Sequence, residues 1–92
     1  MWLVLEDNLN RTESFYEAAS LTDTKVSIKV WRIASLMIEE LPNYINEASL
    51  ISLDHDLYKH KDDDPDPGTG REVANYLSTL VPSCPIIIHS TN

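Results

Sequence analysis

The amino-acid sequence predicts an α/β domain built on a parallel sheet, and two observations carry that prediction. Short apolar runs alternate with amphipathic segments, so that a strand followed by a helix occurs three times before a final strand. Such alternation places parallel strands in one sheet and joins them by right-handed crossovers. The chain has 92 residues, which is enough for one domain at most.

The first strand and helix are predicted from a short apolar run and its polar end. Trp2 to Leu5 is continuously apolar and is followed by acidic and amide residues, which is typical of a strand buried on both faces. Asn8 or Asn10 can cap a helix that continues to about Ser20. The inner face of this helix would carry Phe15, Ala18 and Ala19.

The second strand and helix are predicted from the spacing of apolar residues, which changes from alternation to the spacing of a helix. Val26, Ile28 and Val30 alternate with polar or larger residues, which indicates a half-buried strand, and an edge position suits it. A helix then fits Ile33 to Leu41, and Pro42 is expected to stop it. The inner residues of this helix would be Leu36, Met37 and Leu41.

The second half of the chain holds the third strand, a loop, a helix and a fourth strand. Leu50 to Asp54 is predicted as a strand, and the Asp- and Pro-rich stretch 56–67 as a solvated loop. A helix from Arg71 to Leu80 would turn one apolar face inward, and Pro85 to Ser90 would form the last strand. Because a doubly wound domain normally continues with a helix, we expect a C-terminally incomplete domain over residues 1–92.

The charge and composition exclude several classes of protein. Fifteen Asp and Glu against seven Lys and Arg give a formal charge of −8, which argues against binding duplex nucleic acid but not against a small phosphate substrate beside a cation. The single Cys84 excludes a disulfide framework and a multi-cysteine zinc site. No run approaches the ~20 apolar residues of a membrane span, and no signal peptide is evident, so we expect a cytoplasmic protein.

Acidic residues follow two of the predicted strands at their carboxyl ends. Glu6 and Asp7 end the first strand, and Asp54 and Asp56 end the third. If the strand order is 2-1-3-4, these ends are neighbours, and ligands of open parallel sheets bind at that edge. Hard oxygen ligands so grouped suit a divalent ion, Mg²⁺ or Mn²⁺. The competing interpretation is that these carboxylates cap helices and face water.

Two histidines lie at the same predicted edge. His55 follows Asp54, and His89 ends the last strand. Because imidazole titrates near neutrality, the pair can act as general acid and base. Alternation along a strand would turn His55 away from the face that Asp54 and Asp56 share, and a structural hydrogen bond is the competing role.

A glycine-rich turn precedes the third helix and offers a candidate phosphate site. Backbone N–H groups at a helix start can hold a phosphate, and Gly68, Thr69 and Gly70 would allow close approach, with Arg71 as a cationic partner. A G-x-G pattern is weak, and a plain turn explains it equally well. Asp62, Asp64 and Asp66 do not form an EF-hand, because Pro67 occupies the position that needs glycine.

Taken in order, four segments of the chain resemble the cyclic-phosphate processing receiver domain family. They are Leu3-Val-Leu-Glu-Asp-Asn with Arg11, Ile51-Ser-Leu-Asp-His-Asp-Leu, Pro67-Gly-Thr-Gly before a helix, and Ile87-Ile-His-Ser-Thr-Asn. The resemblance spans nearly the whole chain. It implies a flavodoxin-like receiver fold with helices on both faces of the sheet. Strand order would be 2-1-3-4, without the fifth strand and C-terminal helix.

The resemblance also implies a function and further site residues. The implied activity is the processing of cyclic phosphate ends, on RNA or nucleotides, by a phosphodiesterase-like hydrolysis. Asp54 matches the phospho-acceptor position of receivers, and His89, Ser90 and Asn92 match the second hallmark motif. We therefore expect His55, His89 and Asp54 to be catalytic, and Ser90 and Asn92 to contact substrate together with the glycine-rich turn.

Two other functions fit the same sequence. The chain can be a signalling receiver that accepts a phosphoryl group on Asp54, or an acidic protein-interaction module. In the latter, the exposed last strand would pair with another chain or exchange with a second copy in a homodimer. The two histidines, which phosphotransfer does not need, favour hydrolysis.

Overall fold

The structure is a computed structural model, and it describes residues 1–22, 26–57 and 66–89. Its elements in chain order are β1 (Trp2–Leu5), α1 (Leu9–Ser20), β2 (Ile28–Trp31), α2 (Ala34–Tyr44), a 3₁₀ turn (Ile45–Glu47), β3 (Leu50–Asp54), α3 (Gly70–Leu80) and β4 (Ile86–His89). The strands form one parallel sheet in the order β2-β1-β3-β4, and the described residues contain no fifth strand. The predicted fold class and strand order are therefore confirmed.

The main hydrophobic core lies between the sheet and the pair α2 and α3. In the β1–β3 register Leu3 faces Ile51 and Leu5 faces Leu53, and all four side chains are fully buried. The helices add Ala34, Met37, Leu41, Val73 and Leu77. Burying a side chain of this size stabilises the fold by ~2 kcal/mol, so this face supplies most of the apolar stabilisation.

The opposite face of the sheet carries α1. Successive side chains of a strand alternate between faces, so Val4 and Ser52, which pair in register, point away from α2 and α3. Both are buried. Asn8 caps α1 with its side-chain oxygen, which accepts hydrogen bonds from two backbone N–H groups of the first turn. Of the three inner residues predicted for α1, Ala19 is buried, Phe15 is half-buried and Ala18 is exposed, which corrects that prediction.

The second helix runs past the proline that was expected to end it. Pro42 lies inside α2, which continues to Tyr44 and then tightens into the 3₁₀ turn. In the last turn a proline removes one hydrogen bond of the helix, and packing outweighs that loss. Tyr44 meets the Trp31 ring edge-on, with ring centroids 5.9 Å apart. The prediction that Leu36 faces inward is also wrong. Leu36 is 47% exposed, and Ala34 is buried on the inner face of the helix instead.

The last strand is the least covered element of the sheet. β4 pairs with β3 along one side, and its three isoleucines remain between 38% and 53% exposed. No helix within the described ranges has the length and apolar character needed to cross a membrane. The carboxyl ends of β1, β3 and β4 lie side by side, and this edge is where the predicted site residues fall.

Candidate functional site

Three buried carboxylates meet at the carboxyl ends of β1 and β3. Glu6, Asp7 and Asp54 each offer an oxygen, and these oxygens all lie within 4.8 Å of one another. Their exposed fractions are 0%, 8% and 1%. The topology explains the cluster, since β1 and β3 are neighbours and both run into polar residues at the same level. We call this group the acid cluster.

Glu6 is a member of the acid cluster whose pKa is raised by its surroundings. Its Oε2 accepts hydrogen bonds from the backbone N–H groups of Asp7 at 3.1 Å and Asn8 at 3.2 Å. Its Oε1 is buried and accepts no hydrogen bond within the described parts of the chain. Burial, and then hydrogen bonding to Asp54, raise the pKa of Glu6 to about 7 from the ordinary 4.5, although the Asn8 N–H and Arg11 act in the opposite direction. A second cation beside Oε1 would stabilise the charged form.

The residues of the acid cluster also fit a divalent cation by their chemistry. Each offers carboxylate oxygens, which are the ligands that Mg²⁺ and Mn²⁺ prefer. Glu6 Oε1 adds a buried oxygen that accepts no hydrogen bond from a described residue, with the Arg11 Nη1 cation 3.7 Å away. Asp56 lies outside the acid cluster, and its backbone N–H donates to Asp54 Oδ1 at 3.0 Å. Its predicted role as a metal ligand stays a prediction.

Arg11 belongs to the first segment that resembles the family, but it was given no role in the predicted site. Its Nη1 lies 3.7 Å from Glu6 Oε1 and 3.8 Å from Asp54 Oδ2, so it forms ion pairs with two members of the acid cluster. It reaches them because α1 turns back over the end of β1 immediately after its Asn8 cap. The available signal was a basic residue one turn into the first helix, directly after an acidic strand end.

The two histidines are joined through the backbone at the ends of β3 and β4. The His55 N–H donates to the His89 carbonyl at 2.8 Å, and His89 pairs with Asp54 in the strand register. The His89 ring lines a groove of about 360 Å³ together with Arg11 and Phe15 of α1. Its Nε2 is buried and has no hydrogen-bond partner among the described residues. His55 is half-buried and does not line this groove.

The glycine-rich turn before α3 has a clear packing role. A Cβ at Gly70 would lie 2.5 Å from the Asp54 carbonyl oxygen, and one at Gly68, where φ is +73°, would lie 2.9 Å from Ala34 Cβ. Thr69 caps α3, because its hydroxyl accepts from the Glu72 N–H at 3.4 Å. These glycines therefore let α3 approach the end of β3. Phosphate binding by this turn and the exposed Arg71 stays a prediction.

A cavity of about 560 Å³ opens above the acid cluster on the side of β2. Asp7 and Asp54 form its acidic wall, the cap Asn8 and the first turn of α1 up to Arg11 form a second wall, and Arg32 comes from the segment after β2. Arg32 was not among the predicted site residues, because nothing local marks an arginine after an edge strand. Ser90 and Asn92, which were predicted to contact substrate, lie outside the described residues.

Comparison with known proteins identifies the family. Neither the curated proteins nor the solved structures contain a significant match to this chain. The family model described as cyclic-phosphate processing receiver domain matches residues 1–92, the whole sequence. The parallel sheet in the order β2-β1-β3-β4 agrees with a receiver domain. The chain therefore belongs to the cyclic-phosphate processing receiver domain family.

Proposed function

We propose that this domain hydrolyses cyclic phosphate ends, namely 2′,3′-cyclic phosphates of nucleotides or RNA, with the help of a divalent cation. One observation supports the cation above all others: Glu6 Oε1 is buried within the acid cluster and accepts no hydrogen bond from a described residue. Glu6, Asp7 and Asp54 would hold Mg²⁺ or Mn²⁺. The bound ion would supply positive charge against the phosphoryl oxygens of the transition state.

The reaction needs two proton transfers, which the chain's own side chains would carry. The oxygen of a water molecule forms a bond to phosphorus, and the bond from phosphorus to one ribose oxygen breaks. A base takes the proton of the water, and an acid protonates the departing ribose oxygen. His89 is the stronger candidate, because its ring lines the groove beside Arg11 and its Nε2 has no described partner. His55 would supply the second imidazole from the end of β3.

Hydrolysis of a cyclic nucleotide tests this proposal directly. The protein would be incubated with adenosine 2′,3′-cyclic phosphate in Mg²⁺, in Mn²⁺ or in EDTA, and the products separated by chromatography. We expect a nucleoside monophosphate with either metal and none in EDTA. Unchanged substrate with both metals, from protein that circular dichroism shows to be folded, would refute the proposal.

Histidine variants separate the acid–base roles from general effects. His89→Gln and His55→Gln remove the titrating ring and keep an amide of similar length. We expect a loss of about 100-fold in kcat for His89→Gln, within the usual range for general acid–base catalysis. His60→Gln is the matched control, since the sequence assigns His60 to the acidic loop. An equal effect of all three substitutions would contradict a specific role for His89.

Phosphoryl acceptance is a second candidate, favoured by the position of Asp54. This residue ends β3 inside the acid cluster, and its Oδ2 lies 3.8 Å from a cationic Arg11 nitrogen that could compensate phosphoryl charge. Treatment with acetyl phosphate and Mg²⁺ followed by intact-mass measurement distinguishes the two functions. A mass increase of one phosphoryl group that Asp54→Asn abolishes would support the receiver function.

A further inference from the structure

Two arginines share the cavity above the acid cluster, which is unusual for a chain of this charge. The formal charge is −8, and the described residues contain four Lys and Arg in all: Arg11, Lys29, Arg32 and Arg71. Arg11 and Arg32 both line the same cavity of about 560 Å³. They come from different elements, the first turn of α1 and the segment after β2, so local sequence does not explain their meeting.

The backbone at the start of α1 offers little to an anion in this cavity. The Asn8 N–H donates to Glu6 Oε2, and the N–H groups of Asn10 and Arg11 donate to Asn8 Oδ1 at 2.9 and 3.2 Å. These donors, which often bind phosphate at a helix start, are already satisfied. Among the charged side chains of the protein that line the cavity, the two guanidinium groups are therefore the donors left for an anion, beside any cation held by the acid cluster.

We infer that Arg11 and Arg32 bind the phosphoryl group of a nucleotide-sized phosphate ester in this cavity. A guanidinium presents a planar pair of donors that matches phosphate oxygens, and it keeps its charge at every working pH. The volume lies within the range of small-molecule sites. The inference rests on the proposed function for its choice of ligand, and it places the ligand on the β2 side of the acid cluster.

Arg11 links this phosphate site to the acid cluster. Its Nη1 lies 3.7 and 3.8 Å from the two carboxylates, which are ion-pair distances longer than a hydrogen bond. The guanidinium can therefore offer donors to a ligand in the cavity while it stays beside Glu6 and Asp54. A phosphoryl group bound there would lie next to the acid cluster, where the proposed chemistry takes place.

Leu9 indicates that the ligand carries an apolar portion as well. It lies on the wall of the same cavity and is 69% exposed, although it is the first residue of α1. A nucleoside attached to the phosphate would cover this side chain and remove apolar surface from water. Inorganic phosphate would leave Leu9 exposed. A nucleotide and inorganic phosphate therefore test different parts of the cavity, the apolar wall and the arginines.

Direct binding measurements test the inference without any need for turnover. Isothermal titration calorimetry would measure the Kd of adenosine 3′-monophosphate and of inorganic phosphate. We expect Arg32→Ala to raise the Kd of both ligands about tenfold or more, as the loss of a charge-assisted hydrogen bond does. Lys29→Ala removes a positive charge from β2 outside the cavity, and we expect its Kd to stay within about twofold of the wild type. Arg71→Ala tests the competing phosphate site at the glycine-rich turn.

Two further variants sharpen the result. Arg32→Lys keeps the charge but loses the planar pair of donors, so its affinity should lie between those of the wild type and Arg32→Ala. Leu9→Ala should raise the Kd of adenosine 3′-monophosphate about fivefold, because an apolar contact is lost, and leave the Kd of inorganic phosphate unchanged. Thermal unfolding would verify that each variant is folded.

Each outcome decides for or against the site. Equal weakening of phosphate binding by Arg32→Ala and Lys29→Ala would mean that net charge alone matters and would overturn the inference. Weakening by Arg71→Ala alone would place the phosphate at the glycine-rich turn and overturn it too. Phosphate binding that needs Arg32, without hydrolysis of cyclic phosphate, would uphold the site and refute the proposed function. Hydrolysis of cyclic phosphate at the wild-type rate by Arg32→Ala would uphold the proposed function and refute the phosphate site.

Discussion

Along the edge formed by the carboxyl ends of the strands, the region of β1 and β3 is enclosed by the protein and the region of β4 is open. These regions are called the enclosed end and the open end. At the β1–β3 end, Glu6, Asp7 and Asp54 are buried against one another and against Arg11. At the β4 end, the strand is exposed along its length, and His89 is half-buried in a shallow groove. Burying carboxylates destabilises a fold unless something compensates their charge. The enclosed end therefore bears a cost that a ligand can offset, whereas at the open end the buried polar atom without a partner among the described residues is His89 Nε2.

Removal of Asp54 should have the largest effect on the enclosed end. Asp54→Asn keeps the shape of the side chain but removes a charge from the acid cluster. We expect hydrolysis of adenosine 2′,3′-cyclic phosphate to fall about 100-fold or more, the scale of losing a charge-stabilising group. Glu13→Gln removes an exposed carboxylate of α1 and is the control. Comparable losses in the two variants would contradict a specific role for the acid cluster.

Glu6 should make the stability of the metal-free protein depend on pH. Its pKa is about 7 in the folded chain and 4.5 ordinarily, so the folded state binds more protons between these values. The free energy of unfolding should fall as pH rises from 4.5 to 7, by at most about 3 kcal/mol, and stay low above 7.

The substitution Glu6→Gln isolates that contribution. Urea unfolding of wild type and variant at several pH values gives the difference between their free energies of unfolding. This difference should shift in favour of Glu6→Gln as pH rises through 4.5 to 7, because the variant cannot become charged. Saturating Mg²⁺ should reduce the shift, since a cation favours the charged carboxylate. A difference independent of pH in EDTA would contradict the raised pKa.

Gly70 tests how tightly the enclosed end is packed. A Cβ placed there would lie 2.5 Å from the Asp54 carbonyl oxygen, so Gly70→Ala must push α3 away from β3. We expect a loss of about 2 kcal/mol in the free energy of unfolding, as overpacking produces. Ser78→Ala on the exposed side of α3 is the control. Retention of wild-type stability by Gly70→Ala would show that α3 is not held against the strand end.

The smallest effects should come from the open end of the sheet. Ile51 is fully buried in β3, and Ile87 is 50% exposed in β4, so one substitution can compare them. Ile51→Val should lower the free energy of unfolding by about 1 kcal/mol, and Ile87→Val by less than about 0.5 kcal/mol. Equal losses would mean that another part of the protein covers β4.

The fold and the acid cluster could be predicted because they follow from short-range patterns. Apolar runs gave the strands, two of them ending in acidic residues, and the resemblance to the receiver family implied the strand order that makes those ends neighbours. Arg32 was not predicted, for the opposite reason, and Arg11 belonged to a segment that resembles the family but was given no role in the site. Whether an arginine turns toward a strand end depends on how its helix or loop crosses the sheet, and for Arg32 no spacing in the sequence encodes that.

Two local errors have the same origin in tertiary packing. Pro42 is a strong helix breaker by itself, but it lies in the last turn, where Tyr44 packs on Trp31 and holds the chain helical. Leu36 is apolar and helical, but the sheet lies on the side of Ala34, Met37 and Leu41. In each case the neighbouring element decided between conformations that the local sequence allowed.

The close approach at Gly70 has a mechanical consequence. The main chain of Asp54 rests directly on the start of α3, and the preceding turn rests on Ala34 at the start of α2. A shift of Asp54 toward α3 would therefore press directly on the start of that helix, because Gly70 has no side chain to absorb it. Occupation of the acid cluster should thus be felt on the outer surface of α3, where another molecule could sense it.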